Sequence, residues 1–254
     1  MKFSANLGFL WTELPLPRAI EAAAGTGFDA VECHWPYDVP ASDVARALAR
    51  TGLPMLGLNT RRGDVEGGEN GLAALPGREA EARAAIEEAI AYAVAVGAGN
   101  VHVMSGFASG AAAHETFCAN LDHACRAARP HGIKILIEPL NRHDAPGYFL
   151  GSTGPAVAIM DEVGADNLKL MFDCYHVQRT EGDVSHRIKA LLPRIGHIQF
   201  ASVPDRGQPD RGELNYDHLF ALIDGLGYDA PLGAEYRPGG PTEPTLGWLS
   251  RLRG

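Results

Sequence analysis

Lys134-Ile-Leu-Ile-Glu-Pro-Leu-Asn141 drives an apolar run straight into a carboxylate and follows it with proline. A strand buried on both faces has this composition, and its last, polar residue emerges where the strand does. The pattern recurs at Leu168-Lys-Leu-Met-Phe-Asp-Cys-Tyr-His176, at Ile195-Gly-His-Ile-Gln-Phe-Ala201 and at Leu232-Gly-Ala-Glu-Tyr-Arg-Pro238. Four short apolar segments thus end near Glu138, Asp173, Gln199 and Glu235. Each is separated from the next by about the length of a strand, a loop and a helix.

The same rhythm runs back to the N-terminus. Residues 3–7 form a short strand that delivers Asn6; 28–33 end at Glu32, with His34 and Trp35 beyond; 54–59 end at Asn59; 100–104 make a fourth strand. Helices are predicted over 14–24, 42–50, 78–96, 114–128, 153–164, 184–192, 215–226 and 245–252. Ser42 is placed to cap the second and Asn215 the seventh, while Gly52 stops the second. Two long loops interrupt the alternation. One, 60–77, carries Arg61, Arg62, Asp64, Glu66 and Glu69; the other, 202–215, carries Arg206, Arg211 and Glu213. Loops of that length in a compact domain are usually functional or disordered.

Eight strands alternating with helices predict an α/β protein with parallel strands and right-handed crossovers. Eight such units in 254 residues predict a closed (β/α)8 TIM barrel, with 1–254 as one domain. No Gly-x-Gly-x-x-Gly follows the first strand, which disfavours an open dinucleotide-binding sheet. In a barrel the chemistry sits at the C-terminal ends of the strands, where Asn6, Glu32, Asn59, Glu138, Asp173, Gln199 and Glu235 fall.

Composition narrows the function classes. The formal net charge of −9 disfavours unaided binding to nucleic acid or to an anionic membrane. Cys33, Cys118, Cys125 and Cys174 form no Cys-x-x-Cys pair, which argues against a structural zinc site and for free thiols. No apolar run approaches the roughly 18 residues of a membrane span, and the N-terminus lacks a signal-peptide core. A cytoplasmic protein is expected, with a small molecule as partner and homo-oligomers left open.

Three carboxylates and an amide oxygen make a hard donor set that suits Mg2+ or Mn2+. Without a cation, such carboxylates would repel one another strongly. His176, past the strand end, is placed for substrate contact; His197 is expected inside the barrel below the site, and His102 inside it as well. Arg237, two past Glu235, could hold a substrate carboxylate bidentately. Trp11 and Trp35 either wall the pocket or cover the barrel mouth.

At Ile137-Glu-Pro-Leu-Asn141, Phe172-Asp-Cys-Tyr-His-Val-Gln-Arg-Thr-Glu-Gly182 and Gly233-Ala-Glu-Tyr-Arg-Pro238 the chain resembles the hydroxypyruvate isomerase family. That family lies among the xylose isomerase-like TIM barrels and includes 2-oxo-tetronate isomerases. The likeness extends through Phe3-Ser-Ala-Asn-Leu7, Val31-Glu-Cys-His-Trp-Pro-Tyr-Asp38, Leu75-Pro-Gly-Arg-Glu79 and Gly212-Glu-Leu-Asn-Tyr216. The resemblance implies a divalent metal at Glu138, Asp173, Gln199 and Glu235, with Glu138 and Glu235 as the acid/base pair. It implies substrate contact from His176 and from an arginine at the barrel mouth; Asn59 is taken with them as a substrate-side residue. The chain departs from the family in two loops. It has Gly63-Asp64-Val65 and Gly68-Glu69-Asn70-Gly71 where the family usually reads Gly-Asp-Trp and Gly-Glu-Arg-Gly, and Ser202 where the family often has aspartate.

The expected activity is isomerisation of a short hydroxy-keto acid, hydroxypyruvate to tartronate semialdehyde or a 2-oxo-tetronate, with Arg237 or the Arg61–Arg62 loop on its carboxylate. A ketose 3-epimerase is the related alternative. A multi-zinc nucleic-acid enzyme on the same barrel would need more strand-end histidines and a basic face. A non-catalytic sugar-acid binder would not need the glutamate pair.

Overall fold

Short, apolar and almost wholly buried segments become the strands of the computed structural model, which describes residues 1–253. They are β1 (Phe3–Asn6), β2 (Ala30–Glu32), β3 (Gly57–Asn59), β4 (Asn100–His102), β5 (Lys134–Ile137), β6 (Leu168–Asp173), β7 (Ile195–Phe200) and β8 (Leu232–Ala234). All pair in parallel, in the order β2-β1-β8-β7-β6-β5-β4-β3. The two ends of that order meet through a bridge between Val31 and Met55. There the Val31 N–H donates to Pro54 O at 3.0 Å and the Leu56 N–H to Val31 O at 2.7 Å. The sheet therefore comes round on itself as a nearly closed barrel, with β2 and β3 joined by the thinnest seam.

Helices α1 (Leu16–Gly25), α2 (Ala41–Thr51), α3 (Glu79–Val96), α4 (Ala111–Ala128), α5 (Thr153–Val163), α6 (Cys174–Thr180), α7 (Val184–Leu191), α8 (Tyr216–Gly225) and α9 (Gly247–Arg253) surround it. In α3 the buried residues Ala82, Ala85, Ile86, Ala89, Ile90, Ala93 and Val96 recur at helical spacing and form one inward stripe. Trp248 of α9 lies edge-on to Phe3 of β1 and Phe200 of β7, with centroids 5.1 and 5.3 Å apart, and so locks the last helix to the barrel wall. Among the described residues no helix is long and apolar enough to cross a membrane.

The differences from expectation lie at caps and loops. Asn215 caps α8 as expected, its Oδ1 accepting from the His218 N–H at 3.1 Å. Ser42 does not cap α2: that helix starts at Ala41 behind Pro40, with no side-chain cap. The short helix α6 lies outside the predicted helices. It starts where Asp173, the last residue of β6, accepts the Tyr175 N–H at 2.8 Å. The 60–77 loop is pinned across the end of β4 by a bridge between Gly71 and Ser105. Only glycine suits that crossing, because a Cβ on Gly106 would lie 2.2 Å from Gly71 O. The crossing brings the tip of the loop over the barrel mouth.

Candidate active site

The C-terminal ends of the strands open into a cavity of about 430 Å3, lined by Glu138, Glu235, His176, His102, Asn59 and Arg206 among others. That size is ordinary for a small-molecule site. Glu138 follows β5 and Glu235 follows β8, so the two face one space from different sides of the barrel. Asp173 ends β6, and Gln199 is its direct partner in the β6–β7 register. All four are buried.

Arg206 supplies the countercharge. Its Nη2 lies 2.6 Å from Glu235 Oε2 and 3.4 Å from Asp173 Oδ2. The guanidinium is sandwiched between the rings of Phe9 and Tyr175, 4.8 and 4.9 Å away. The Ser202–Gly207 turn aims it: the Arg206 N–H donates to Ser202 O at 2.9 Å and the Gly207 N–H to Ser202 Oγ at 3.0 Å. In the sequence Arg206 stands in a long loop with nothing that assigns it a role. The available signal was the turn chemistry of Ser202-Val-Pro-Asp-Arg-Gly207, which marks a built loop.

Below the carboxylates a second network orients them. Glu32 Oε1 accepts from Gln199 Nε2 at 3.2 Å and from Asn6 Nδ2 at 3.1 Å, and Asn6 Nδ2 also reaches Glu235 Oε1 at 3.1 Å. His197 Nε2 lies 2.5 Å from Glu32 Oε2, so His197 sits inside the barrel as expected. A carboxylate only accepts, so Glu32 fixes which end of the Gln199 amide faces it. Gln199 Oε1 is left buried without a hydrogen-bond partner, as is Glu138 Oε1. Gly233 leaves room for this network; a Cβ there would lie 2.5 Å from Glu32 Oε1 and 2.8 Å from Gln199 Cγ.

Two orphaned acceptor oxygens beside a buried carboxylate cluster fit a hard divalent cation. Ligand atoms of Glu138, Asp173 and His176 also lie within 4.8 Å of one another. His176, however, is oriented as a donor. Its Nδ1 accepts the Asn141 N–H at 3.0 Å, so the neutral ring carries its proton on Nε2, 3.8 Å from Glu138 Oε1 and 3.6 Å from Asp173 Oδ2. That proton suits a substrate oxygen better than a metal. Burial keeps the ring neutral, pushing His176 down to about 3, and does the same to His102, at about 4.

The carboxylates are driven apart in acidity. Burial, with Glu235 and Asp173 beside it, holds the Glu138 carboxyl well above the usual range. Burial also pushes Asp173 up to about 7. Glu235 feels the same burial, but Arg206 and the hydrogen-bonded His34, at 2.8 Å, outweigh it and hold Glu235 down at about 2.

Asn59 lines the cavity, and its backbone carbonyl accepts from the Tyr37 hydroxyl. Arg237 lines the mouth, exposed, and its backbone N–H donates to Arg206 O at 2.7 Å. Trp35 walls the cavity, whereas Trp11 is fully buried and donates its indole N–H to Glu243 at 2.7 Å. The four cysteines are free thiols, none lining this cavity.

Residues 20–252 match the xylose isomerase-like TIM barrel family model. A 2-oxo-tetronate isomerase of Cupriavidus necator is 46% identical over 257 residues, covering 100% of this chain and 99% of that protein. The chain belongs to the hydroxypyruvate isomerase family of xylose isomerase-like TIM barrels. The hydroxypyruvate isomerase of Escherichia coli is 38% identical over the whole of both chains. A solved structure from Brucella melitensis, described as an AP endonuclease of family 2, superposes with a TM-score of 0.95 at 40% identity and covers 98% of each chain. By this membership the chain is an isomerase-type enzyme.

Proposed function

We propose that the protein interconverts a short hydroxy-keto acid and its isomer, hydroxypyruvate with tartronate semialdehyde or a 2-oxo-tetronate with its neighbouring oxo acid, by proton transfer between adjacent carbons. One observation carries this: two buried glutamates, Glu138 and Glu235, face one cavity from different strands, with burial shifting Glu138 up and Arg206 holding Glu235 down. Two carboxyl groups of unequal acidity suit a proton shift, since one must give a proton while the other takes one. The relatives named 2-oxo-tetronate isomerase and hydroxypyruvate isomerase support the choice of substrate class.

Glu138, Asp173, Gln199 and Glu235 are the residues that would hold a divalent cation, Mg2+ or Mn2+ by their donor chemistry. When bound, that cation supplies the positive charge that acidifies the C–H beside a carbonyl and offsets the enediolate's charge. The chain's own residues do the rest. One glutamate withdraws a proton from one carbon and the other returns a proton to its neighbour; the roles exchange with the direction of reaction. His176 Nε2–H donates to a substrate oxygen, and Asn59 and Arg237 bound the substrate's outer end.

A cation-supplemented assay comparing hydroxypyruvate, four-carbon 2-oxo acids and ketohexoses tests this. Turnover of the acids is expected. Turnover confined to ketohexoses would replace the isomerase with an epimerase.

A further inference from the structure

Most cations around the cavity already have a partner or carry no charge. Arg206 pairs with Asp173 and Glu235, and His34 with Glu235. His102 and His176 are kept neutral by burial. Arg61, next in the chain to a cavity residue, grips Glu88 with two hydrogen bonds of 2.6 and 3.0 Å and is directed away. Arg62 differs from all of these. It lines the cavity, half-buried, and its guanidinium stacks on Trp35 at 3.8 Å from the ring centroid. Among the described residues it makes no ion pair and no side-chain hydrogen bond.

We propose that Arg62 is the specificity-determining residue of this enzyme, the group that selects a substrate bearing a carboxylate over a neutral sugar of the same length. Stacking on Trp35 fixes the plane of the guanidinium, leaving its edge N–H groups for a two-oxygen anion. The loop crossing at Gly71 and Gly106 holds the segment in place, the Gly71 N–H donating to Arg62 O at 2.8 Å. Burial lowers the guanidinium's affinity for its own proton, with no carboxylate beside it to offset that. Arg237, the other guanidinium at the mouth without a carboxylate, is exposed and gains little from a charge pair in water. The proposal deepens the isomerase assignment and uses it only for the chemistry at the other end of the substrate.

The test is calorimetric binding of erythronate, a four-carbon acid with no keto or aldehyde group, and of neutral erythritol to the full chain with Mg2+. Wild type is expected to prefer erythronate. Arg62→Ala should weaken erythronate about 10- to 100-fold, the worth of a charged hydrogen-bond pair, with an unchanged melting midpoint. Arg62→Lys should recover part of the loss. In turnover, Arg62→Ala should raise KM for the acid and leave kcat within about threefold, while KM for neutral erythrulose stays put. The proposal is overturned if wild type shows no preference for the anion, if Arg62→Ala leaves erythronate binding intact while Arg237→Ala abolishes it, or if acid and neutral ligands weaken alike. Anion selection through Arg62 without isomerisation of any acid would sustain the proposal and remove the isomerase assignment.

Discussion

The glutamate pair sets the first expectations. Glu138→Gln or Glu235→Gln each removes one partner of a proton shift and should lower kcat by about 10²- to 10⁴-fold, with circular dichroism unchanged. Loss of less than tenfold in both would sink the two-glutamate mechanism. If Asp173 and Glu138 hold a cation as proposed, its binding should depend on pH, with a definite sign. Burial raises both, Asp173 to about 7 and Glu138 well above its usual range, so at lower pH a ligating cation must displace their protons. Affinity for Mn2+ should therefore rise as pH increases through 7. Titration in buffers of different ionisation enthalpy should show proton release, and affinity flat from pH 5.5 to 8 would contradict it. The placing of Glu138, Asp173, Gln199 and Glu235 at the C-terminal ends of four strands was legible in the sequence because each lies at or near the end of a separate apolar run. Arg206 was not, because its place depends on a loop folding back over the mouth, and no periodicity reports that.

Among the elements, β2 and β8 act as supports for the site. Glu32, the last residue of β2, touches Gln199 directly and Glu235 through Asn6. Glu32→Gln should weaken Mn2+ about 10- to 100-fold, as loss of an orienting partner does. The same change in a Gln199→Leu background should add little, since the amide that Glu32 orients is gone; full additivity would mean that Glu32 acts elsewhere. Gly233 in β8 gives the neighbouring case. A methyl there meets Glu32, Gln199 and His197 at once, so Gly233→Ala should cost about 1–3 kcal/mol in urea unfolding. Strand positions were readable from apolar runs and their polar ends. The start of α6 was not, because Asp173 serves both as a strand end and as a helix cap, and the apolar run before it signals only the first task. Pro40 displaced Ser42 as the start of α2 for a similarly local reason: the proline already turns the chain into the helix.

For the whole molecule, the barrel is unevenly laced. β6 and β7 share a four-pair register, whereas β2 and β3 meet through the single Val31–Met55 bridge and a few flanking backbone bonds. Amides at that seam, Val31 and Leu56 among them, should exchange with deuterium well before those of Met171 and Ile198. Simultaneous exchange would show that the seam opens only with the whole barrel. Arg206 bears on how the molecule comes into being. Its guanidinium bonds Glu235 and approaches Asp173, so the acids at the barrel mouth have a positive partner encoded in the chain itself. With that internal partner, folding is expected not to wait for the proposed ion, unlike that of small zinc modules that are unfolded without their metal. For an enzyme that holds a cation as proposed, the order of assembly would be chain first and ion second, and scarcity of the ion would then silence activity while leaving a reserve of folded protein ready to be switched on.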